Sequence, residues 1–361
     1  MSSTALSGLT HAARRPAGRR ATLLALGALL VVVMLLAASI GAVRLTLGQV
    51  LAIVLEPLGI TLPFHVTEQD IAVVRAIRAP RVLLGALVGA ALGASGAAMQ
   101  GLLRNPLADP GLIGVSSGAS LGAALAIVSV GAAGIGTAGI GAAFIPAAAF
   151  VGGLAAAALA LHLGRVDGHP VDGALLLSGI AINALAAAGV GLVIHVASDA
   201  QLRNITFWTL GSLGGASWTS LQWAAPPLLV SVFLLQRLAR PLNLLLLGPT
   251  EARHLGLRVD RVQRIAVVTA AFGVGAAVSA SGLISFIGLV APHLVRLVLG
   301  PEHRAVLPGA ALVGALVLVL ADLLARTLIA PGEIPLGVLT AFLGAPFLLA
   351  LLRSRAAGRL T

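Results

Sequence analysis

The chain has 361 residues, of which 58% are hydrophobic and only 10% are charged, and its formal net charge is +11. Soluble globular domains carry about 25% charged residues, so a chain with a mean hydropathy of +1.05 has too little polar surface to fold in water. The composition therefore excludes a soluble enzyme, a disordered protein and a secreted disulfide-linked domain. It predicts an all-α integral membrane protein.

Two residue types are missing from the sequence. There is no cysteine, which excludes disulfides, thiolate metal sites and a cysteine nucleophile. There is no lysine either, so all 23 basic residues are arginine. A phosphate-binding loop of the Walker type needs a lysine to reach the β- and γ-phosphates of a nucleotide. The chain therefore cannot hydrolyse ATP by that route.

The first apolar segment, 21–43, is long enough to cross a bilayer core of about 30 Å, which takes about 20 residues. It is too long for a signal-peptide core and precedes further apolar segments, so it is interpreted as a retained first helix. Residues 44–80 are more polar and are predicted to form a long periplasmic loop. Five further spans are predicted after this loop, at 82–103, 112–132, 141–164, 173–197 and 218–238.

A dense polar block at 239–264 interrupts the apolar pattern. The next apolar stretch, 265–299, is too long for one crossing and is divided into two helices at Ser279–Gly282. Two last spans, 305–325 and 334–352, bring the predicted total to about ten transmembrane helices. The predicted organisation is a cytoplasmic tail at 1–20, one transmembrane domain at 21–352 and a cytoplasmic tail at 353–361.

The distribution of arginine predicts the orientation of these spans. If the N-terminus is cytoplasmic, 17 arginines lie on the cytoplasmic side and 6 on the other, which accounts for all 23. Basic residues favour the cytoplasmic side, so both termini are predicted to be cytoplasmic. The net charge then reports topology and does not indicate nucleic-acid binding.

Asp322 is the only acidic residue within a predicted span, and Arg326 follows it one helical turn later. Residues four apart lie on the same face of a helix, so the two side chains are predicted to neutralise each other. The alternative is a proton relay, the role that intramembrane carboxylates take in ion-coupled transporters. The neutralising pair argues against coupling to an ion gradient.

The connection between the second and third predicted spans is rich in proline, glycine and polar residues. It is predicted to be non-helical, which membrane proteins tolerate where the backbone is buried in protein or lines a watery cavity. Its length and polarity favour a functional turn over a plain tight loop. The turn residues are Asn105, Pro106, Asp109, Pro110 and Gly111.

The tripeptide Gly-Leu-Ile occurs in this turn, at 111–113, and again at the break between the seventh and eighth spans, at 282–284. The two sites have opposite orientations in the predicted topology, which suggests an inverted repeat that relates spans 2–5 to spans 7–10. His293 follows the second site and is either a ligand or, as favoured here, a histidine at a helix start or in the core.

The polar block contains the sequence Gly248-Pro-Thr-Glu-Ala-Arg-His-Leu-Gly256. Thr250 is predicted to cap a short helix over Glu251–Leu255, and Gly256 is predicted to end it. Such a helix, charged on one side and with leucines nearby, would dock a partner protein. A basic loop that touches anionic lipid is the alternative.

Several motifs follow one another in a characteristic order over about residues 75–350. They are Arg78-Ala-Pro-Arg81, Met99-Gln-Gly-Leu-Leu-Arg-Asn-Pro-Leu-Ala-Asp-Pro-Gly-Leu-Ile-Gly-Val, Leu177-Ser-Gly-Ile-Ala, Leu210-Gly-Ser-Leu-Gly-Gly, the block starting at Gly248, Phe286-Ile-Gly-Leu-Val-Ala-Pro-His and Glu333-Ile-Pro-Leu-Gly-Val-Leu-Thr-Ala. In this order they resemble the FecCD-type permeases, which are the membrane subunits of binding-protein-dependent ABC importers for iron-siderophores, haem and cobalamin.

The resemblance implies a homodimer with the transport pathway along its two-fold axis and two separate ATPase subunits. ATP would be used only by those subunits, and the permease would bind no permanent cofactor. A periplasmic binding protein would dock on Arg78, Arg81 and Arg326. Within 239–264, the residues implied to couple to the ATPase are Thr250, Glu251, Arg253, His254, Leu255 and Gly256.

The resemblance also implies a cytoplasmic gate in the loop Arg165–Ala174, with Asp172 and Gly173 as gate or pathway residues. Since the chain has no tyrosine or cysteine, a haem ligand would have to be a histidine. His195, near the outer end of the fifth span, is the best-placed candidate, with a simple interfacial histidine as the alternative.

The stretches 206–218 and 300–304 look most similar to haem-type members of the family. The function implied is that of a permease subunit, not itself an enzyme, which moves haem from the periplasm to the cytoplasm by ATP-driven alternating access. A ferric-siderophore or cobalamin permease is the alternative within the family. An ion-coupled secondary transporter that works alone is the remote alternative.

Overall fold

The computed structural model describes residues 16–133, 140–166, 169–170 and 172–356, and most of them are helical. The α-helices are α1 (Pro16–Ser39), α2 (Leu47–Leu55), α3 (Glu68–Ala72), α4 (Ala79–Leu102), α5 (Val115–Ala132), α6 (Ile140–Leu163), α7 (Asp172–Val196), α8 (Asp199–Leu210), α9 (Trp218–Arg237), α10 (Ala239–Leu245), α11 (Pro249–His254), α12 (Val259–Ser281), α13 (Ile287–Leu299), α14 (His303–Thr327) and α15 (Leu336–Ala356). Of the predicted tails, 1–15 and 357–361 lie outside the described residues.

Shorter elements complete the described chain. Glu56–Leu58 and Pro110–Ile113 are 3₁₀ turns, and Val73–Arg78 is π-helical. Two two-residue strands, β1 (Arg165–Val166) and β2 (His169–Pro170), pair antiparallel with Val166 opposite His169. They lie in the loop that was predicted to hold a gate, of which residues 167, 168 and 171 lie outside the described part.

The prediction of about ten transmembrane helices is confirmed, although these helices differ in length. In the described chain, eight helices are long and apolar enough to cross a membrane: α1, the continuous helix Glu68–Leu102, α5, α6, α7, α9, α12 and α14. The other two predicted spans are the shorter apolar helices α13 and α15. With 13 residues, α13 is about 20 Å long at 1.5 Å per residue and crosses only part of the core.

The structure is more helical between residues 44 and 80 than the sequence predicted. The second span begins at Glu68 and not at 82. The helix continues through Pro80, where the sequence predicted the end of the loop. A proline there removes a hydrogen bond and clashes with the preceding turn. The turns just before it are π-helical, with the Ala79 N–H donating to Val74 O, and this wider turn lets the helix pass Pro80.

Both predicted breaks in the helical pattern are confirmed. After α4 the chain turns at Arg104, which has a φ of +48°, and runs through the 3₁₀ turn to α5. After α12 it turns at Gly282, with a φ of +69°, and α13 begins only after Phe286. We call residues 103–114 the first break and 282–286 the second break.

Equivalent contacts at the two breaks support the inverted repeat. Gly179 of α7 packs against the first break so closely that a Cβ there would lie 1.9 Å from Leu112 O. Gly337 of α15 packs against the second break in the same way, with its Cβ position 2.7 Å from Leu283 O. These leucines are the middle residues of the two Gly-Leu-Ile tripeptides, and α7 and α15 are the corresponding last helices of the two repeats.

The bundle has two ends that matter for function. α9 runs between them, with α8 before it and α10 and α11 after it, and we name them the α8 end and the α11 end. The N-terminal end of α1 is at the α11 end, since Arg19 forms an ion pair with Glu302, which directly precedes α14. The core lies along α4, which is buried over most of its length, and α14.

Replacing Gly179 with alanine tests the close approach of α7 to the first break. We expect Gly179→Ala to lower the thermal unfolding midpoint of the purified protein, because its Cβ overlaps a backbone carbonyl that cannot move aside. Gly27→Ala is the control, since no atom lies within 4 Å of its Cβ position. It is expected to leave the midpoint unchanged or raise it slightly, and equal midpoints for the two variants would contradict the packing.

Candidate functional site

A cavity of about 580 Å³ lies between the two breaks, beside the start of α5 and the middle of α7. Ligand sites in proteins typically occupy about 300–1,000 Å³ and combine an apolar wall with a few polar groups. This cavity has that size and composition. Its lining consists of Asp109, Gly111, Ser116, Ser117, Ser120, Asn183, Ala187, Val190, Leu283, Ile284, Ser285, Phe286 and Leu289.

The first break forms one wall of this cavity through local hydrogen bonds. Asn105 Oδ1 accepts a bond of 3.0 Å from the Leu107 N–H, and Asp109 Oδ1 accepts one of 2.7 Å from the Gly111 N–H. The second bond caps the 3₁₀ turn that begins at Pro110. Burial raises the pKa of the Asp109 carboxyl, and the bond from Gly111 opposes the rise.

The second break forms the opposite wall. Phe286 has a φ of +67°, a left-handed conformation that is strained for a bulky residue. Its ring is held against α15, where a Cβ at Gly344 would lie 2.3 Å from the ring. Such strain persists only where the surrounding structure enforces it, and it is concentrated at functional sites. Here the left-handed conformation directs the Phe286 side chain toward the cavity, where it forms part of the lining.

Helix α7 forms the third wall of the cavity, and its Asn183 is hydrogen-bonded to the first break. Its Nδ2 donates a hydrogen bond of 3.3 Å to Gly111 O, and its Oδ1 accepts a bond from the Ser117 hydroxyl of α5. The same hydroxyl lies 3.2 Å from Gly114 O. The cavity thus offers amide and hydroxyl groups, one carboxylate and apolar surface. In the described part of the chain, no cluster of three His, Asp or Glu residues forms a metal site.

The polar block forms a short helix, as predicted, but the helix begins earlier. Gly248, with a φ of +115°, is its N-cap, and Pro249 is its first residue. Proline suits that position because its fixed φ is helical and its missing N–H would have no partner there. The capping role predicted for Thr250 is therefore wrong. Gly256 ends the helix as predicted, with a φ of +85° and its N–H bonded to Arg253 O.

The residues predicted to couple to an ATPase are all exposed at the α11 end: Thr250, Glu251, Arg253, His254, Leu255 and Gly256. Leu247 and Leu255 are each 61% exposed. On the opposite side of α11, Ala252 is fully buried. We call residues 239–256 the coupling segment, after the contact with an ATPase that the resemblance implies for the polar block 239–264. Apolar contacts anchor it on one face, and its other face presents leucines together with charges.

A network of buried charges lies at the α8 end. The Arg81 guanidinium is 2.8 Å from Asp322 Oδ1 through Nη2 and 2.8 Å from Glu333 Oε1 through Nη1. Arg326 Nε lies 3.6 Å from Asp322 Oδ2, which confirms the predicted pair. The Asp322 side chain is only 3% exposed, against 41% for Glu333. Asp322 is therefore the shared counter-charge of two arginines.

Arg78 and Arg326 also bind the end of α1. Arg78 Nη1 donates to Ala38 O at 2.7 Å and to Ser39 O at 2.9 Å, and Arg326 Nη1 donates to Ile40 O at 2.8 Å. The last carbonyls of a helix lack partners within it, and a cation there is also favoured by the helix dipole.

The three arginines expected to dock a binding protein have little exposed surface. Arg78 and Arg81 are 5% and 8% exposed, and all three bind groups of their own chain. Their role in docking a binding protein stays a prediction.

The predicted gate and pathway residues lie along α7. Asp172 is its first residue, and its side chain lies outside the described part. Gly173 is exposed, and His195 is exposed one residue before the helix ends. Their roles stay predictions. His293 packs edge to face on Phe347, with ring centroids 5.5 Å apart, as expected for a histidine within the helical packing.

Three features were not predicted from the sequence. Glu333 was not paired with Arg81, because no spacing rule connects residues so far apart in the chain. Asn183 was not singled out, although a lone asparagine in an apolar span is a usable signal of interhelical hydrogen bonding. Helix α8 was also not predicted, although Ser198 and Gln201 form the capping box that marks its start.

Replacing Asp322 with asparagine tests the charge network. The change leaves the buried Arg326 without its acidic partner and Arg81 with only Glu333, so we expect Asp322→Asn to lower the free energy of unfolding by about 3–5 kcal/mol. The measurement is thermal unfolding in detergent. Unchanged stability combined with lost transport would contradict a structural pair and favour ion coupling.

Glu333→Gln is the matched comparison at the exposed side of Arg81. Hydrogen bonding to Arg81 holds the pKa of Glu333 below its usual 4.5, so this contact contributes stability above about pH 4.5, which is lost as the pH falls below it. We expect a smaller loss than for Asp322→Asn at neutral pH, and a difference from wild type that shrinks under acid. A difference that grows under acid would contradict this assignment.

Comparisons with known proteins agree with this architecture. The model of the FecCD transport family matches residues 29–354. The chain is 49% identical over 280 residues to the hemin transport system permease protein HmuU of Yersinia pestis, covering 77% of this chain and 83% of that protein. It is 42% identical over 294 residues to the cobalamin import system permease protein BtuC of Halobacterium salinarum, covering 81% and 77%.

A solved structure is similar over nearly the whole chain. It is that of a metal-chelate type ABC transporter in an inward-facing conformation, with a TM-score of 0.80 and 30% identity, covering 93% of this chain and 99% of that one. The sequence relatives and this structure agree on a membrane permease of many helices. The chain belongs to the FecCD transport family.

Proposed function

We propose that the chain is the permease subunit of an ABC importer that moves haem from the periplasm to the cytoplasm. The observation that carries this proposal is the exposed coupling segment at the α11 end of a bundle that has a cavity between its two breaks. A cavity accounts for a transported ligand, and an exposed face of leucines and charges accounts for a partner protein. Membership of the FecCD family supports both assignments.

The energy source in this proposal is ATP hydrolysed by two separate subunits that bind the coupling segment. The chain has no lysine for a Walker-type site, and Asp322, the acid within a span, is bonded between arginines. Leu247 and Leu255 would supply the apolar contact with the ATPase, and Glu251, Arg253 and His254 its charged rim.

The second copy of the permease would pack along α7. A stripe of leucines on this helix is widely exposed, with Leu177 at 70%, Leu185 at 69% and Leu192 at 72%. The same helix lines the cavity through Asn183, Ala187 and Val190. These lining residues lie on the opposite face of α7 from the leucines, so in the proposed homodimer α7 separates each cavity from the two-fold axis, along which the ligand would move as the pathway opens to either end in turn.

The orientation proposed is cytoplasmic for the α11 end, where ATP is available. The start of α1 lies at that end, so the N-terminus is cytoplasmic in this proposal, as the distribution of arginine also indicates. A periplasmic binding protein would then dock at the α8 end. There Arg78, Arg81 and Arg326 would have to exchange internal partners for acidic groups of that protein.

Haem is proposed as the ligand on the basis of similarity. The protein named for hemin transport is 49% identical to this chain, against 42% and 40% for cobalamin permeases of Halobacterium salinarum and Citrobacter koseri. The apolar and hydroxyl-rich cavity wall would let a large planar ligand pass without being trapped. Ferric siderophores and cobalamin are the competing ligands within the family.

The experiment that tests this function is uptake into liposomes that contain the permease with its ATPase subunits. We expect ATP-dependent uptake of haem in the presence of the cognate binding protein, and no uptake of a ferric siderophore or cobalamin. Uptake of one of those ligands instead would contradict the choice of haem. Uptake driven by a proton or sodium gradient without ATP would contradict an ABC importer.

Variants of the coupling segment test the ATPase contact. We expect Leu255→Asp to weaken binding of the ATPase by about tenfold, as a loss of about 1.4 kcal/mol at the interface would do, and thereby to reduce ATP-driven uptake and co-purification of the ATPase. Arg353→Ala is the control, an exposed arginine near the end of α15, and it should behave as wild type. Equal uptake by the two variants would contradict this contact.

A further inference from the structure

Gln100 is a buried polar residue that connects α4 to two positions on α13. It is 3% exposed, and its Nε2 donates a hydrogen bond of 3.1 Å to Gly288 O. Its Oε1 accepts a bond from the Arg296 guanidinium. Gly288 lies in the first turn of α13 and Arg296 in its last turns. One side chain of α4 therefore holds α13 at both of these positions.

The Gly288 end of this connection borders the cavity. Gly288 lies between Phe286 and Leu289, which both line the cavity. Gly288 also faces the first break, since a Cβ at this position would lie 3.4 Å from Asp109 Oδ2. The backbones of α4 and α13 touch here, because a Cβ at Gly96 would lie 1.8 Å from Gly288 O. A shift of α4 relative to α13 would therefore move the cavity wall.

The other end of the connection reaches the coupling segment. Gly101, the neighbour of Gln100, packs beneath the His303 ring, and a Cβ at Gly101 would lie 2.2 Å from His303 Nε2. His303 is 1% exposed, and its backbone N–H donates a bond of 2.7 Å to Asn243 Oδ1. Its ring Nδ1 lies 3.1 Å from the same oxygen. Asn243 belongs to α10.

These contacts form one continuous path from α10 to the cavity wall. Its members are Asn243, His303, Gly101, Gln100 and Gly288. The contacts at Gly101 and at Gly96 leave no space for a side chain, so a displacement at one side is passed on by direct collision. The bonds of Gln100 have a fixed direction, and a buried carbonyl left without its donor is costly. Gln100 therefore fixes the register of α4 against α13.

We propose that Gln100 is a positioning residue that transmits movement of the coupling segment to the wall of the cavity. This inference rests on the proposed function, in which an ATPase moves the coupling segment. Gln100 contacts neither the ATPase nor the ligand. It acts by keeping the first turn of α13 attached to α4, so that the second break moves when the coupling segment moves.

The experiment compares three variants in liposomes with the complete complex, and measures ligand transported per ATP hydrolysed. Gln100→Leu removes both hydrogen bonds. Gln100→Glu keeps an acceptor for Arg296 and loses the donor to Gly288. Ser95→Ala is the matched control, since Ser95 is buried on the same helix and its hydroxyl has no hydrogen-bond partner in the described structure.

We expect both Gln100 variants to hydrolyse ATP at rates near wild type and to transport about tenfold less ligand per ATP, whereas Ser95→Ala keeps the wild-type ratio. A purely structural role would lower stability, and with it hydrolysis and transport together, without changing the ratio. Wild-type ratios in both Gln100 variants would overturn the proposal. If the wild-type complex itself shows no ATP-driven uptake, the proposed function fails first and this inference with it.

A second measurement on the wild-type complex does not depend on folding of the variants. Trapping the ATPase with a transition-state analogue of ATP hydrolysis should change hydrogen–deuterium exchange at residues 282–289. It should also change exchange in the coupling segment. A change in the coupling segment with none at 282–289 would overturn the proposal.

Discussion

A membrane-embedded backbone must satisfy its N–H and C=O groups without water, and this constraint shapes the whole permease. Two segments break the helical pattern inside the bundle, and their free polar groups are met by specific partners. Gln100 donates to Gly288 O, and Asn183 donates to Gly111 O. The Ser212 N–H donates to Ser281 O at the end of α12. Of these residues, Asn183 and Gly111 also line the cavity.

Small residues allow the helices and the two breaks to pack this closely. Helices in a membrane associate by close packing more than by the hydrophobic effect, so backbone approach is limited by the smallest side chains. Where Gly89 of α4 meets Gly314 of α14, a Cβ would lie 2.3 Å from a carbonyl oxygen. Similarly close contacts at Gly179 and Gly337 pack the two breaks against α7 and α15. The high glycine content therefore determines how rigidly the cavity walls are connected to the bundle.

Charge is divided between the two ends of the bundle in different ways. At the α8 end, Arg78, Arg81 and Asp322 are buried and bond with neighbouring charges or with the end of α1. At the α11 end, the charges of the coupling segment are exposed beside exposed leucines. An exposed mixed surface of this kind is suited to a protein partner, whereas buried pairs of the first kind hold helices in position. The buried charges at the α8 end therefore hold helices together, whereas those of the coupling segment are free to meet a partner.

The sequence by itself determined the membrane setting, the number of spans, both breaks and the short helix of the polar block. Each of these follows from local composition: runs of about 20 apolar residues, clusters of proline and glycine, and charge in an apolar chain. The pairing of Asp322 with Arg326 was also predictable, because a helix brings residues four apart together.

Only the tertiary structure decided which distant groups meet. Arg81 binds Glu333 across 252 positions of sequence, and Gln100 reaches Gly288 across 188; no local rule connects residues so far apart. The structure likewise places the three arginines against groups of their own chain, although the resemblance implied that they dock a binding protein. The helical start at Glu68 depended on a π-helical turn that accommodates Pro80. The local sequence determines the helices and breaks, and packing in the absence of water determines which distant groups bond with one another.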